Sequence, residues 1–300
     1  MSLPKIYGVY LNNLSWYQIG NLYNECLKEG RAKYKIERIN EMVEKLDKLP
    51  EHEIIQQYLF AGRISVNWYK LADKAENSIL VIKQRLNAIS HDILKKGHYL
   101  HLGDDFDFVH AIEKQNKLFI TLGTGNYRDS ISIQEYKLVQ SPSEYFCTII
   151  IREKNNIIEI RANETLRHHL LKTVVDKIGV KTVPGFGKKI ITEEAFLAFW
   201  NAIPGAEIKR YKGKNLDPQS ITELLEFTAR QGVDYAQNTD EFIRMRENLQ
   251  DLSLTFIFNY NDSTFPFRFN LLTGSLYFPS IVSEDAIDYI FDIYYKTIME

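Results

Sequence analysis

The apolar residues of this chain change period near Gly97, and that switch restricts the fold more than any other feature of the sequence. Before Gly97 they recur at helical spacing. Ile19, Leu22, Tyr23, Cys26 and Leu27 share one face of a segment that starts behind Asn13 and Ser15 and stops at Gly30. Ile36, Ile39, Met42, Val43 and Leu46 form a second stripe, which Pro50 ends. Leu80, Ile82, Leu86, Ile89 and Leu94 form a third, closed at Gly97. Two short segments, 51–60 and 66–72, lie between these stripes and read with them as helical. Only 6–11, a short apolar and aromatic run, reads as a strand. Helices with one apolar face bury it against neighbours.

After Gly97 the period falls to two. Segments 98–102, 106–112, 118–122 and 130–139 alternate, and the polar turn 113–117 predicts a hairpin between the second and third. Segments 145–151 and 157–161 flank Lys154-Asn155-Asn156, where asparagine tolerates the left-handed backbone of a tight turn. Both faces of 145–151 are apolar, which predicts a central strand. Asn163 then caps a helix with Leu166, Leu170, Val174 and Ile178 on its buried face, and Gly179 stops it. A second unit of the same order ends the chain. Strands 252–259 and 265–271 surround Asn261-Asp262-Ser263, and a strand at 275–278 follows. Ser283 caps the last helix, where Glu284 and Asp285 suit the positive end of its dipole. The two units share an order of elements, as a structural repeat would, but their residue identities do not match well, which favours coincidence over a repeat. Between them, 192–203 and 218–230 read as helices, the latter opened by Asp217-Pro218, and 207–211 as a short strand.

The expected class is therefore α+β: a helical N-terminal region, 1–96, followed by a mainly antiparallel β-rich region, 97–300, with hairpin-helix units at 145–178 and 252–298. At 300 residues, 45% apolar and 25% charged, the chain can bury a core without disulfides or metals. Cys26 and Cys147 are its only cysteines and form no CxxC pair, so neither a disulfide framework nor a cysteine-built zinc site is expected. The opening Met1-Ser2-Leu3-Pro4-Lys5 has no signal-peptide character, and no apolar run is long enough to span a bilayer. A cytoplasmic protein without a membrane partner is the expectation.

A net charge of −2 removes the bulk electrostatic argument for nucleic acid and leaves only a local one. Two places carry it. Lys188 and Lys189 follow the glycine-rich Pro184-Gly185-Phe186-Gly187, just before a helix start whose amides suit an anion. Lys209, Arg210, Lys212 and Lys214 interleave with Tyr211, against one acid at Glu207; cations would hold a phosphate backbone while the ring stacks on a base. The opposing reading of this stretch is an edge strand guarded by lysines.

The densest polar cluster is 98–110. His101, Asp105 and Asp107 share one strand parity and are the candidate metal ligands, with a polar turn as the alternative. Asp107, with Glu135-Tyr136-Lys137 on a later strand, resembles the PD-(D/E)xK nuclease core, whose two carboxylates hold a divalent metal while the lysine helps to activate water. That resemblance covers three residues, Asp107, Glu135 and Lys137, with Asp129 as an alternative to Asp107. His91-Asp92 has the residue pair of the HD-type phosphohydrolases, but at a helix end rather than inside a helical bundle. Neither glycine-rich loop completes a GxGxxG or a P-loop, and no serine elbow or histidine-activated cysteine is present.

These features favour a non-catalytic binding protein or assembly subunit that needs no cofactor and contacts nucleic acid or another anionic partner through residues 185–214. The alternatives are a metal-dependent hydrolase, with a divalent metal as its only cofactor, and a protein–protein scaffold or homo-oligomer.

Overall fold

The computed structural model describes residues 8, 11–12, 14–27, 32–45, 64–89, 104–134, 137–183, 191–217, 223–229, 234, 244, 249–261 and 263–300. The fold is α+β, with helices gathered toward the N-terminus and antiparallel strands dominating the rest. Contacts divide the chain into two compact units, Met1–Phe60 with Val66–Pro184, and Ala61–Ser65 with Gly185–Glu300. The region boundary expected at Gly97 falls outside the described residues.

The first unit is built from helices α1 (Trp16–Cys26), α2 (Lys35–Lys45), α3 (Ile79–Ile89) and α4 (Glu164–Ile178) around five strands. The strands are β1 (Ile64–Lys70), β2 (Asp107–Lys114), β3 (Lys117–Gln134), β4 (Lys137–Arg152) and β5 (Ile157–Arg161), in the order β2-β3-β4-β5-β1. Ser15 opens α1 with a reciprocal capping box: its hydroxyl accepts from the Gln18 N–H, and the Gln18 side chain accepts from the Ser15 N–H. Asn163 caps α4 by accepting from the Leu166 N–H, and Gly179, at φ 65°, closes it in the left-handed conformation. Gln115 and Asn116 take positive φ in the β2–β3 turn, and Asn156 does so in the β4–β5 turn, so turn chemistry at these two sites sets the hairpins.

Both faces of this sheet are covered, as its burial pattern requires. On one face Leu118, Ile120, Leu122, Ile149, Ile151, Ile158 and Ile160 pack with Ile82 and Leu86 of α3 and Leu170 and Val174 of α4. On the other, Phe119 and Ile150 pack with Ile19 and Leu22 of α1 and Ile39 and Met42 of α2.

The second unit contains α5 (Glu193–Asn201), β6 (Glu207–Asn215), β7 (Leu224–Thr228), β8 (Leu249–Tyr260), β9 (Ser263–Asn270), β10 (Leu276–Phe278) and α6 (Glu284–Tyr294), which runs into a π-turn at Tyr295–Met299. Its strands lie in the order β7-β6-β8-β9-β10. Alternation sends Leu254, Phe256, Phe258, Phe267, Phe269, Leu276 and Phe278 to one face, and all are buried. Phe196 and Phe199 of α5 close over them: Phe199 stacks on Phe269 at 5.2 Å between ring centroids, and Phe196 lies 6.0 Å from Phe256. Tyr294 of α6 meets Phe199 edge-on at 5.9 Å.

Three sequence expectations are corrected. Segment 66–72 contributes β1, not a helix; Val66, Trp68 and Tyr69 are buried on both sides of the strand, so no alternation marks it. Segment 218–230 contains β7 at its described positions, because β6 offers Leu224–Thr228 a ladder partner that local propensity does not see. In segment 6–11, Gly8 and Leu11 are helical. Segments 118–122 and 130–139 also join: β3 and β4 form one long hairpin, paired from Lys117 with Arg152 out to Gln134 with Lys137. No helix among the described residues is long and apolar enough to cross a membrane.

Candidate functional site: a cationic cleft on the second sheet

The face of the second unit's strands opposite α5 and α6 carries a cleft of about 610 Å³. Its residues follow from strand register. Arg210 pairs with Thr228 on one side and Thr255 on the other, Thr255 pairs with Arg268, and Arg268 with Tyr277. One transverse row thus runs Thr228, Arg210, Thr255, Arg268, Tyr277 across five strands, and all five residues line the cleft. Arg210 and Arg268 are separated by β8 alone, two strand spacings or about 10 Å at the backbone. Ile257, Pro266 and Pro279 supply an apolar flank.

A bulge adds a third cation. Ile208 pairs with Phe256 and Arg210 with Thr255, so Lys209 is an extra residue in β6. In a regular strand Lys209 and Arg210 would point to opposite faces; here both line the cleft, while Ile208 and Tyr211 both enter the core. The bulge is held from two sides. The Ile208 N–H donates to the Asp234 carboxylate at 2.9 Å, and the Ala229 N–H donates to the Lys209 carbonyl at 2.9 Å.

Among the described residues the cleft's lining includes Lys209, Arg210 and Arg268 and no acid. Acids meet two of the cations from the rim: Glu207 pairs with Lys209, and Glu226 lies 3.8 Å from Arg210. The Arg268 side chain has no ion pair or hydrogen bond among the described residues, and the Tyr277 side chain has no hydrogen bond or ring contact there. Two donors and a ring therefore face the cleft with capacity to spare.

Of the cations predicted to bind nucleic acid, the structure brings Lys209 and Arg210 into the cleft. Lys212 and Lys214 continue down β6 beyond it: Lys212 pairs in register with Glu226, and Lys214 lies 3.4 Å from Glu223. Glu223, just ahead of β7, thus compensates Lys214. Tyr211 is fully buried and stacks on Phe227 at 6.1 Å, so its ring has no face left for a base. Lys188 and Lys189 lie outside the described residues. Arg268 and Tyr277 were not singled out from the sequence. The signal was present in Phe265-Pro266-Phe267-Arg268-Phe269, where alternation puts the arginine opposite the phenylalanine face, but its distance from Arg210 in the chain hid the pairing.

Of the acidic candidates, Asp105 and Asp107 are among the described residues. Asp105 is exposed, and Asp107 is held by Lys177, whose Nζ reaches its Oδ1 at 2.6 Å and the Phe106 carbonyl at 2.9 Å. His101, Glu135, His91 and Asp92 lie outside the described residues. Backbone pairing places Asp107 opposite Gly123 and Gly123 opposite Phe146, whereas Lys137 pairs with Gln134 at the far end of the hairpin. The nine residue steps from Lys137 to Phe146 span roughly 30 Å along β4 at about 3.3 Å each, too far for Asp107 and Lys137 to share one metal site. Among the described residues no three His, Cys, Asp or Glu side chains gather as a metal site.

A second charged cluster lies inside the first unit. Glu159 of β5, fully buried, accepts from Arg152 Nε at 2.6 Å, Arg161 Nε at 2.6 Å and Trp68 Nε1 at 2.9 Å. Burial alone would push its pKa up, but the two guanidiniums, with the indole and Arg161 hydrogen bonds, outweigh it and hold the carboxyl well below the usual carboxylate range. The carboxylate is spent on tying β1, β4 and β5 together.

No protein-family model matches the sequence, and no curated protein matches it.

Proposed function

We propose that the protein is a non-catalytic binding protein whose second unit holds an anionic group, on nucleic acid or another phosphate-bearing partner, in the β6–β10 cleft. The observation that carries this reading is the bulge at Lys209, which delivers two consecutive cations to the face where Arg268 stands unpaired among the described residues. A bulge that re-aims a side chain is a common device beside binding sites. Guanidiniums on β6 and β9, with the Thr255 hydroxyl on the strand between them and the Thr228 hydroxyl beside Arg210, suit the several acceptor oxygens of a phosphate. Lys188 and Lys189 extend the proposed surface in sequence.

The test is binding of single- and double-stranded oligonucleotides and of inorganic phosphate, measured by fluorescence anisotropy and calorimetry from about 50 to 200 mM salt. The reading expects affinity that falls with salt. In Arg268→Ala the salt slope is expected to shrink by about one, the change that follows when one phosphate is no longer neutralised. Binding that is absent for every probe, or unchanged in an Arg210→Ala/Arg268→Ala double variant, would overturn it.

A further inference from the structure

We infer that the cleft recognises one phosphorylated nucleoside at a time: a phosphate monoester whose sugar carries a planar base, either free or at the end of a strand. This rests on the anion-binding reading and adds to it the identity of the group behind the anion.

The cleft is polarised along its row. Its middle, Arg210, Thr255 and Arg268, supplies positive charge and hydroxyl donors. Its β10 end is different. Tyr277 pairs in register with Arg268 and lies beside Pro266 and Pro279, so an aromatic ring and two proline rings border the anion position on one side. Aromatic residues elsewhere in this unit are used in mutual stacking, as Phe256 on Phe267 at 5.0 Å and Tyr211 on Phe227 at 6.1 Å. Tyr277, half-buried, has no ring partner among the described residues. An anion site beside an unused ring and apolar walls suits a ligand with a charged end and a flat end.

Size and charge layout favour one nucleotide over a run of them. A cleft of about 610 Å³ lies within the usual range for a single small ligand. A strand lying through a groove needs cations repeated along its path. Here the cations beyond the cleft do not continue such a path: Lys214 lies 3.4 Å from Glu223, Lys212 stands in register with Glu226 of β7, and the opposite flank is apolar.

The experiment is calorimetric titration of the full chain at low salt with inorganic phosphate, adenosine, adenosine 5′-monophosphate, and a short oligonucleotide with and without a terminal phosphate. The monophosphate is expected to bind at least about fivefold more tightly than phosphate or adenosine, the scale of one base stacked on one aromatic ring. Tyr277→Ala is expected to abolish that advantage and Tyr277→Phe to keep it. Arg268→Ala is expected to weaken phosphate and monophosphate alike, by about tenfold. If the alanine variant does not fold, Tyr277→Leu replaces it, keeping apolar bulk without a stacking ring. An oligonucleotide that binds only when its end is phosphorylated identifies the strand end as the source; binding of the free monophosphate alone identifies the free nucleotide. Equal affinity for phosphate and monophosphate, or an oligonucleotide that binds equally tightly with and without its terminal phosphate, overturns this inference and leaves the anion site standing. No binding of phosphate or of any nucleotide overturns both.

Discussion

Replacing Glu159 by glutamine removes one negative charge from a site that also holds two buried guanidiniums, and the structure sets the cost. The carboxylate receives the Arg152 and Arg161 Nε–H groups at 2.6 Å each and the Trp68 indole at 2.9 Å, and none of these side chains has a route to bulk water: Arg152 is 4% exposed, Arg161 2% and Glu159 0%. Glutamine keeps the volume and one acceptor oxygen, but its amide nitrogen must face a guanidinium and the charge balance is gone. Removing one partner of a buried ion pair costs about 3–5 kcal/mol. With a urea dependence of about 2 kcal/mol per molar, the unfolding midpoint of the first unit drops by roughly 2 M. Trp68→Phe is the control: it deletes one hydrogen bond to a charged acceptor, worth about 1.5–3 kcal/mol, and leaves both arginines paired. Urea unfolding followed by indole fluorescence, with hydrogen exchange of the β5 amides to report on this unit alone, gives both values. The sign with pH is also fixed. The folded pKa of Glu159 is depressed, so its stabilisation is complete above the unfolded value of about 4.3 and is lost as pH falls below it toward the folded pKa. A Glu159→Gln cost below about 1 kcal/mol, or unfolding of this unit whose acid sensitivity is the same with and without Glu159, refutes the reasoning.

Three further outcomes test other parts of the structure. Burial lowers the pKa of His110, whose Nδ1 has no hydrogen-bond partner among the described residues; the unfolded chain therefore protonates first, and stability is full above about pH 6.5 and falls below it, by at most about 1.4 kcal/mol per pH unit. His110→Phe flattens that slope in denaturation series between pH 7 and 5 (approximate limits of the window). Gly123→Ala sets a methyl 2.8 Å from Phe146 Cε1 and 2.9 Å from Val109 Cγ2, inside van der Waals contact, and lowers thermal stability by about 1–3 kcal/mol. Asp107→Ala breaks only a partly exposed pair with Lys177 and costs no more than about 1 kcal/mol in the same assay; nuclease activity that disappears in this variant restores the hydrolase reading.

Local chemistry made most of the elements legible in the sequence. The Ser15 and Ser283 caps, the Asn163 cap with its Gly179 stop, and the asparagine turns at 116, 156 and 261 each depend on a few adjacent residues, and each is present in the structure. Their order was enough for the α+β class and for the hairpin-helix units. β1 escaped because a strand buried on both faces lacks alternation, and β7 because its strand character comes from pairing with β6.

Of the cleft, only Lys209 and Arg210 could be picked from the sequence, and for an incomplete reason. Their charge was visible. That they would share a face was not, because adjacent strand residues diverge unless a bulge intervenes, and this bulge depends on Asp234 and Ala229 from outside the strand. Arg268 and Tyr277 join them through strand register alone. Capping and alternation act over a few residues and can be read along the chain. Register is a contest among all possible pairings, settled by which one buries Leu254, Phe256, Phe267 and Phe269 together, and that sum exists only in the folded molecule.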